Sequence, residues 1–279
     1  MQHSTGSFTN KDGLKIYTES WLPDREPTAV VMIVHGHAEH IGRYSHVAAA
    51  LVKQGWAVYG LDHKGHGQSE GERAHYASVD EPVADLRQYF EQVQARHAGL
   101  PIAMLGHSMG SIISLMFTLK YQKDLAALVI TGTATKGEDA YPKALIPVVR
   151  LLGTLAPRLR LNLGGDSSVL TTDPAVNQAF DDDPLVMHKP MSAGLGWVLI
   201  KAGREINQRA HELKLPLLIG HGEEDKLTPI SGSYTVHKQA GSPDKKLITY
   251  PGMRHEVMNE PIRDQVLADI IGWLNDRLP

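Results

Sequence analysis

Short apolar runs recur along the chain, and most are followed by a longer stretch whose apolar positions repeat at helical spacing. Strands are expected at residues 29–35, 56–62, 102–106, 125–131, 215–221 and 245–250. Helices are expected near 44–54, 79–97 and 231–240, immediately after Gly110, and in a last segment running through Leu278. In the second of these, Val79, Val83, Leu86, Phe90 and Val93 share one helical face, and Ser78-x-x-Glu81 reads as a capping box before them. The strand segments are almost continuously apolar rather than alternating, which is the pattern of strands covered on both faces. Alternation of such strands with helices builds βαβ units, so the expected class is α/β, with a mostly parallel sheet between two helical layers. Ligands in such sheets bind beyond the C-terminal strand ends, and His35, Asp62, Ser108 and His221 all fall near those ends.

Residues 132–201 break this rhythm, cut by prolines at 142, 147, 157, 174, 184 and 190. The expected division is therefore a core in two parts, 1–132 and 201–279, with 133–200 inserted as a cap. Residues 144–152 are apolar around most of a helical circumference. Two readings stand: a helix buried against the sheet, or a lid facing lipid with Arg150, Arg158 and Arg160 touching anionic headgroups.

The 279 residues are 42% hydrophobic and carry a formal charge of −3, ample for a large core and unsuited to a phosphate-backbone partner such as nucleic acid. With no cysteine there is no disulfide, thiolate metal site or cysteine nucleophile. The first residues lack a basic and an apolar signal region, and no run of eighteen apolar residues suggests a membrane span, so a cytoplasmic location is expected. The lack of cysteine would equally suit an exported protein.

The chemistry centres on Gly106-His107-Ser108-Met109-Gly110, a G-x-S-x-G between an apolar strand and an apolar helix. That context suits a nucleophile elbow, where a serine is lifted above the sheet on a tight turn. Gly67-Gln68-Ser69-Glu70-Gly71 matches the same pattern but opens no apolar helix, which makes Ser69 a loop serine and Ser108 the candidate nucleophile. The structural alternative for Ser108 is a helix N-cap. A serine nucleophile needs a histidine base and a carboxylate to orient it, following in the order Ser, acid, His. Asp225, in the loop after the strand at 215–221, is the expected acid, with Glu223 and Glu224 as competitors. His255, in the loop after the last strand, is the expected base; His221 lies too near the acid and His237 lies in a helix. An ordinary histidine titration would make the rate rise with pH near the usual imidazole range. The oxyanion donors are expected to be the backbone N–H groups of Met109 and His37.

His35-Gly36-His37-Ala38-Glu39-His40, Gly42-Arg43-Tyr44, Asp62-His63-Lys64-Gly65-His66-Gly67, Gly106-His107-Ser108-Met109-Gly110 and Asp166-Ser167-Ser168-Val169-Leu170 together resemble the monoacylglycerol lipase/lysophospholipase branch of the α/β-hydrolase superfamily. The likeness runs over residues 12–273. It implies a cap with a mobile apolar helix over an acyl tunnel, a lipid ester substrate, and hydrolysis through an acyl-enzyme without metal or cofactor. It also implies that Glu39 and Arg43 shape the polar end that takes a glycerol headgroup; the alternative is a salt bridge supporting the oxyanion turn. Asp62 and its glycine-rich loop are expected to build core. Three positions depart from the family: His37 and Phe180 stand where its mammalian members have a small residue and a tyrosine, and Ser111 where a second glycine is usual. A broader carboxylesterase or a lysophospholipase fits the same residues. Two readings fall outside the class: a zinc hydrolase built on His35-x-His37-x-Glu39-His40, and a non-catalytic binder of apolar ligands.

Overall fold

A computed structural model describes residues 1–135, 146–160 and 166–278. Eight strands form one sheet: β1 Gln2–Thr9, β2 Lys15–Leu22, β3 Ala29–Val34, β4 Trp56–Leu61, β5 Ile102–His107, β6 Ala127–Thr131, β7 Leu217–Gly222 and β8 Lys245–Tyr250. Their order is β1-β2-β4-β3-β5-β6-β7-β8. The six strands from β3 onward are parallel, and β1 and β2 add an antiparallel edge. This is the α/β architecture expected, with a hairpin that the apolar pattern does not announce. β1 is exposed along almost its whole length and, apart from Phe8, reads as polar. Its conformation follows from full pairing with β2, from Gln2 opposite Leu22 to Thr9 opposite Lys15, around a turn in which Asn10 Oδ1 accepts the N–H groups of Asp12 and Leu14.

β3 to β7 are buried at every position, as their apolar runs require. On one face, α2 (Asp80–Arg96), α3 (Met109–Tyr121) and part of α6 (Ala193–Arg209) pack over Met32, Met104, Leu128 and Ile130. On the other, α1 (Ser45–Val52) and α8 (Arg263–Asn275) pack over Val31, Ile33, Leu105 and Val129. α7 (Ser231–Gln239) lies between β7 and β8 in the chain. The N-terminus of α2 is not the expected capping box. Ser78 Oγ accepts from Asp80 N–H, and Glu81 reaches back to Ala77 N–H, one residue earlier than the box requires.

The strand order reverses at β3, which lies between β4 and β5. Loops leaving the C-terminal ends of β3 and β5 therefore diverge and leave a crevice between them. The segment between β6 and β7 covers this crevice with α4 (Ile146–Leu155), α5 (Pro174–Asp182) and the first turns of α6. The boundary at 200/201 falls inside α6: its early part packs against α4, with Gly153 against Trp197, and its later part carries Ala202 and Ile206 into the core. Residues 144–145 of the apolar segment and Pro142 lie outside the described residues. Within the described part of that segment, α4 buries only Val149 and exposes Val148, Leu151 and Leu155, so it is not a helix buried against the sheet.

Candidate active site

β5 ends at His107, and α3 starts at Met109, so the chain reverses through Ser108 alone. Ser108 takes φ 53° and ψ −120°, a conformation costly for any residue with a Cβ. Three hydrogen bonds hold it: Ser108 N–H donates to Thr131 O at 3.0 Å, and Ser108 O accepts from Ser111 N–H at 2.9 Å and Ser111 Oγ–H at 2.6 Å. Ser111, the departure from the family pattern, thus fastens the turn. The flanking glycines are required by close approach. A Cβ at Gly110 would collide with the carbonyl oxygens of Val34 and His35, and one at Gly106 with Ser114 and Gly110. Ser108 makes no side-chain capping bond to α3. It lines a cavity of about 510 Å³ shared with Gly36, His37, Met109, Thr228 and His255.

Asp225 and His255 meet at this cavity from the loops after β7 and β8. His255 Nδ1 donates to Asp225 Oδ2 at 2.7 Å, which leaves Nε2 free of the proton. Asp225 sits in a turn of its own making, its Oδ1 accepting the N–H groups of Leu227 and Thr228 at 2.8 and 2.9 Å. Thr228 Oγ–H donates to Asp225 Oδ2 at 2.7 Å and lies 3.2 Å from His255 Nδ1. Sequence reasoning missed Thr228, although Asp-x-x-Thr is the spacing of such a turn. Glu223 and Glu224 are both exposed, and Glu223 is bonded to Thr249. His237 lies in α7.

Burial works against the charge on Asp225, but the facing His255 and the donors from His221, His255 and Thr228 hold its carboxyl well below the usual range. His255 is 4% exposed, and burial alone would lower its pKa; attraction to Asp225, then to Glu256 and Glu39, raises it above the ordinary imidazole value instead. This corrects the expectation of an ordinary histidine titration. Beside it, with ring centroids 4.8 Å apart, His107 is buried next to a like group and held neutral, its pKa lowered to about 3.

The turn after β3 carries His37 and Ala38, with Ala38 at φ 67°. Among the described residues, neither His37 N–H nor Met109 N–H has a hydrogen-bond partner, and Met109 N–H is at the positive end of the α3 dipole. The carbonyl of Ala38 accepts Met187 N–H from the segment between β6 and β7 at 2.8 Å. Glu39 Oε1 accepts Gly36 N–H at 2.5 Å and Tyr44 O–H at 2.7 Å, bracing the turn from beneath. Arg43 donates to Glu39 Oε2 at 2.8 Å and, through both terminal nitrogens, to Glu256 at 2.8 Å each. Its guanidinium lies 4.8 Å from the Phe180 ring centre. Glu39 lines the cavity, whereas both terminal nitrogens of Arg43 are engaged by the two carboxylates. Glu256, which sequence reasoning missed, bridges the turn after β3 to the loop of His255.

Ser69 stands apart from the cavity lining, accepting Tyr17 N–H at 2.8 Å and donating to Asp62 O at 2.6 Å. Asp62 accepts the N–H groups of Ile41 and Gln68 at 2.8 Å each, a core role. The histidines of the zinc-like spacing do not converge. His35 Nδ1 lies 2.8 Å from Gly36 O and its Nε2 accepts His63 N–H at 2.9 Å, while His40 Nε2 is turned to Asp183, just after α5, at 2.9 Å. Arg160 is turned inward too, donating to Pro190 O and Arg73 O rather than facing outward with Arg150 and Arg158.

An eight-stranded sheet with a strained serine at its switch point, an acid after β7 and a histidine after β8 defines an α/β-hydrolase. The family described as serine aminopeptidase, S33 matches residues 25–262. The monoacylglycerol lipase of Mycolicibacterium smegmatis is 40% identical over 99% of this chain and 98% of its own length, and human monoglyceride lipase is 30% identical over 97% and 90%. The crystal structure of Paleococcus ferrophilus monoacylglycerol lipase superposes with a TM-score of 0.85 at 26% identity, covering 94% of this chain and 99% of that one. The chain belongs to the monoacylglycerol lipase/lysophospholipase branch of the α/β-hydrolases.

Proposed function

We propose that this carboxylic ester hydrolase cleaves monoacylglycerols to fatty acid and glycerol through an acyl-enzyme. Ser108 Oγ attacks the ester carbonyl as His255 Nε2 takes its proton. Asp225 keeps the Nδ1–H tautomer in place and balances the imidazolium that forms. The N–H groups of His37 and Met109 receive the oxyanion. His255 then protonates the departing glycerol oxygen. Water, deprotonated by the same imidazole, attacks the acyl-enzyme and releases the fatty acid. The single observation that carries this reading is one cavity, lined by Ser108 and by a His255 whose other ring nitrogen is held by Asp225 at 2.7 Å.

The cavity lining carries both chemistries that such a substrate needs. Val149, Met191, Leu199 and Ile200 suit an acyl chain, and Asp181, Ser167 and Thr133 add polar groups to the same lining that suit glycerol hydroxyls. We further propose that residues 133–200 form the cap, and that its outer face touches lipid. Leu151 and Leu155 of α4 are 57% and 75% exposed, beside exposed Arg150 and Arg158. No described helix is long and apolar enough to cross a membrane. The matching mode of action is a cytoplasmic enzyme that meets its substrate at a membrane surface.

The test compares wild type with Ser108→Ala and Asp225→Asn on monoacylglycerols, diacylglycerols, lysophosphatidylcholine and alanyl 4-nitroanilide. Monoacylglycerol turnover leads, Ser108→Ala abolishes it, and Asp225→Asn lowers kcat by on the order of 10⁴, as the same change does in the Ser-His-Asp triad of serine proteases. Preference for the anilide or the lysophospholipid would move the substrate assignment; an active Ser108→Ala would end the mechanism.

A further inference from the structure

Asp225 is shared by two imidazoles. His221, at the end of β7 and fully buried, places Nε2 2.9 Å from Thr228 O and 3.2 Å from Asp225 Oδ2. Both partners are acceptors, so Nε2 carries the proton and divides it between them. Its Nδ1 is then bare and accepts the hydroxyl of Ser233, 2.7 Å away at the first turn of α7. Ser233, His221 and Asp225 thus repeat the types of a catalytic triad. Ser233 is wholly buried and His221 presents Nδ1, not Nε2, to it, so this second set has no access to an ester. Its direction runs inward, toward the carboxylate.

We propose that His221 is a positioning residue that, oriented by Ser233, holds the Asp225 carboxylate and the Asp225–Thr228 turn in register with His255. Oδ2 receives His255, Thr228 and His221 together, and Oδ1 receives two backbone N–H groups. Each donor fixes the carboxylate plane and draws off part of the charge that His255 would otherwise face. The titratable groups bearing on His255 are Asp225, His107, Glu256 and Glu39, with Arg43 behind the last two. Among the described residues, His221 is in polar contact with Asp225 alone of these. Removing its N–H therefore acts on His255 through that carboxylate, strengthening its pull on the imidazole.

The proposal rests on Asp225 being the acid, so Asp225→Asn is measured alongside His221→Leu, His221→Gln and Ser233→Ala. Each is assayed from pH 5 to 9 on a soluble 4-nitrophenyl ester. His221→Leu is expected to lower kcat roughly tenfold with KM unchanged, the scale of one lost hydrogen bond to a charged group. It should also move the acid limb of kcat/KM upward by about half a pH unit. His221→Gln, which can return a donor to the Nε2 position, restores the wild-type limb, and Ser233→Ala moves it by less in the same direction. A limb that stays at the wild-type position in His221→Leu overturns the proposal, even if the protein is less stable. If His221→Leu does not fold, Ser233→Ala decides: a shifted limb supports the proposal and an unmoved one overturns it. An active Asp225→Asn would instead refute the choice of acid.

Discussion

Replacing Arg43 by Met should cost more stability than any other single change at the rim of the site. The guanidinium makes three bonds of 2.8 Å, one to Glu39 and two to Glu256, and the side chains of Arg43, Glu39 and Glu256 are only 10%, 4% and 5% exposed. Without it Glu39 keeps two donors, Gly36 N–H and Tyr44 O–H, whereas Glu256 keeps only Asn259. One poorly compensated buried carboxylate costs about 3–5 kcal/mol. For a chain of this size that is a fall in Tm of about 10 °C. The loss should depend on pH. In the wild type burial opposes the charge on Glu256, but Arg43 overrides it and brings the pKa down to about 2. Its stabilisation is therefore complete above the unfolded carboxyl range and lost only as pH falls toward 2. In Arg43→Met the unpaired burial raises that pKa, so the variant is penalised most at high pH and recovers as Glu256 takes a proton. Thermal melts at pH 8 and pH 5 should show the gap narrowing, and Arg43→Met/Glu256→Gln should regain part of it. A Tm loss below about 2 °C at pH 8 would refute the reasoning. If that came with a raised KM for monoacylglycerol, the pair would pass to headgroup binding, the other reading of Glu39 and Arg43.

Three further outcomes follow from groups already placed. Because His255 is raised and must be neutral to act as base, kcat/KM should climb with pH along a limb centred above the ordinary imidazole value of 6.5; a midpoint at or below it contradicts the Asp225 pairing. Ser69→Ala should leave kcat intact but cost about 1–3 kcal/mol by stranding Tyr17 N–H and Asp62 O, and a dead Ser69→Ala of normal Tm would reopen the choice of nucleophile. His63 and His66 are buried and His37 is half-buried beside His66, and loss of water lowers their pKa values to about 3, 4 and 3 respectively. A depressed histidine stabilises above its unfolded pKa of about 6.5 and loses that contribution as pH falls, by about 2 kcal/mol apiece at pH 5. Melting temperature should therefore drop steeply between pH 6.5 and 5, and a flat profile over that range would count against a neutral cluster.

What the amino-acid order made readable and what it hid differ for physical reasons. Apolar runs buried on both faces and the turns after them are local signals, which is why β5, Ser108 and the loops of Asp225 and His255 could be picked out along the chain. β1 has no such signal: apart from Phe8, stacked on Tyr89, its residues are polar or Gly, and its register against β2 makes it a strand. Arg43 and Glu39 are four residues apart and legible as a pair, but Glu256 lies 213 positions away from Arg43. Nothing local tells that a second carboxylate arrives to take both ends of the guanidinium. That third member changes the balance between the two readings of the pair, because it occupies the donors a headgroup would need. His221 lies too near the acid in sequence to serve as the base. Proximity is what gives it a role. Four residues and one turn bring its Nε2 within 3.2 Å of Asp225 Oδ2, where it acts on the carboxylate and never reaches the substrate. A side chain excluded from one part of a catalytic array by its spacing is, by the same spacing, available to orient the part beside it.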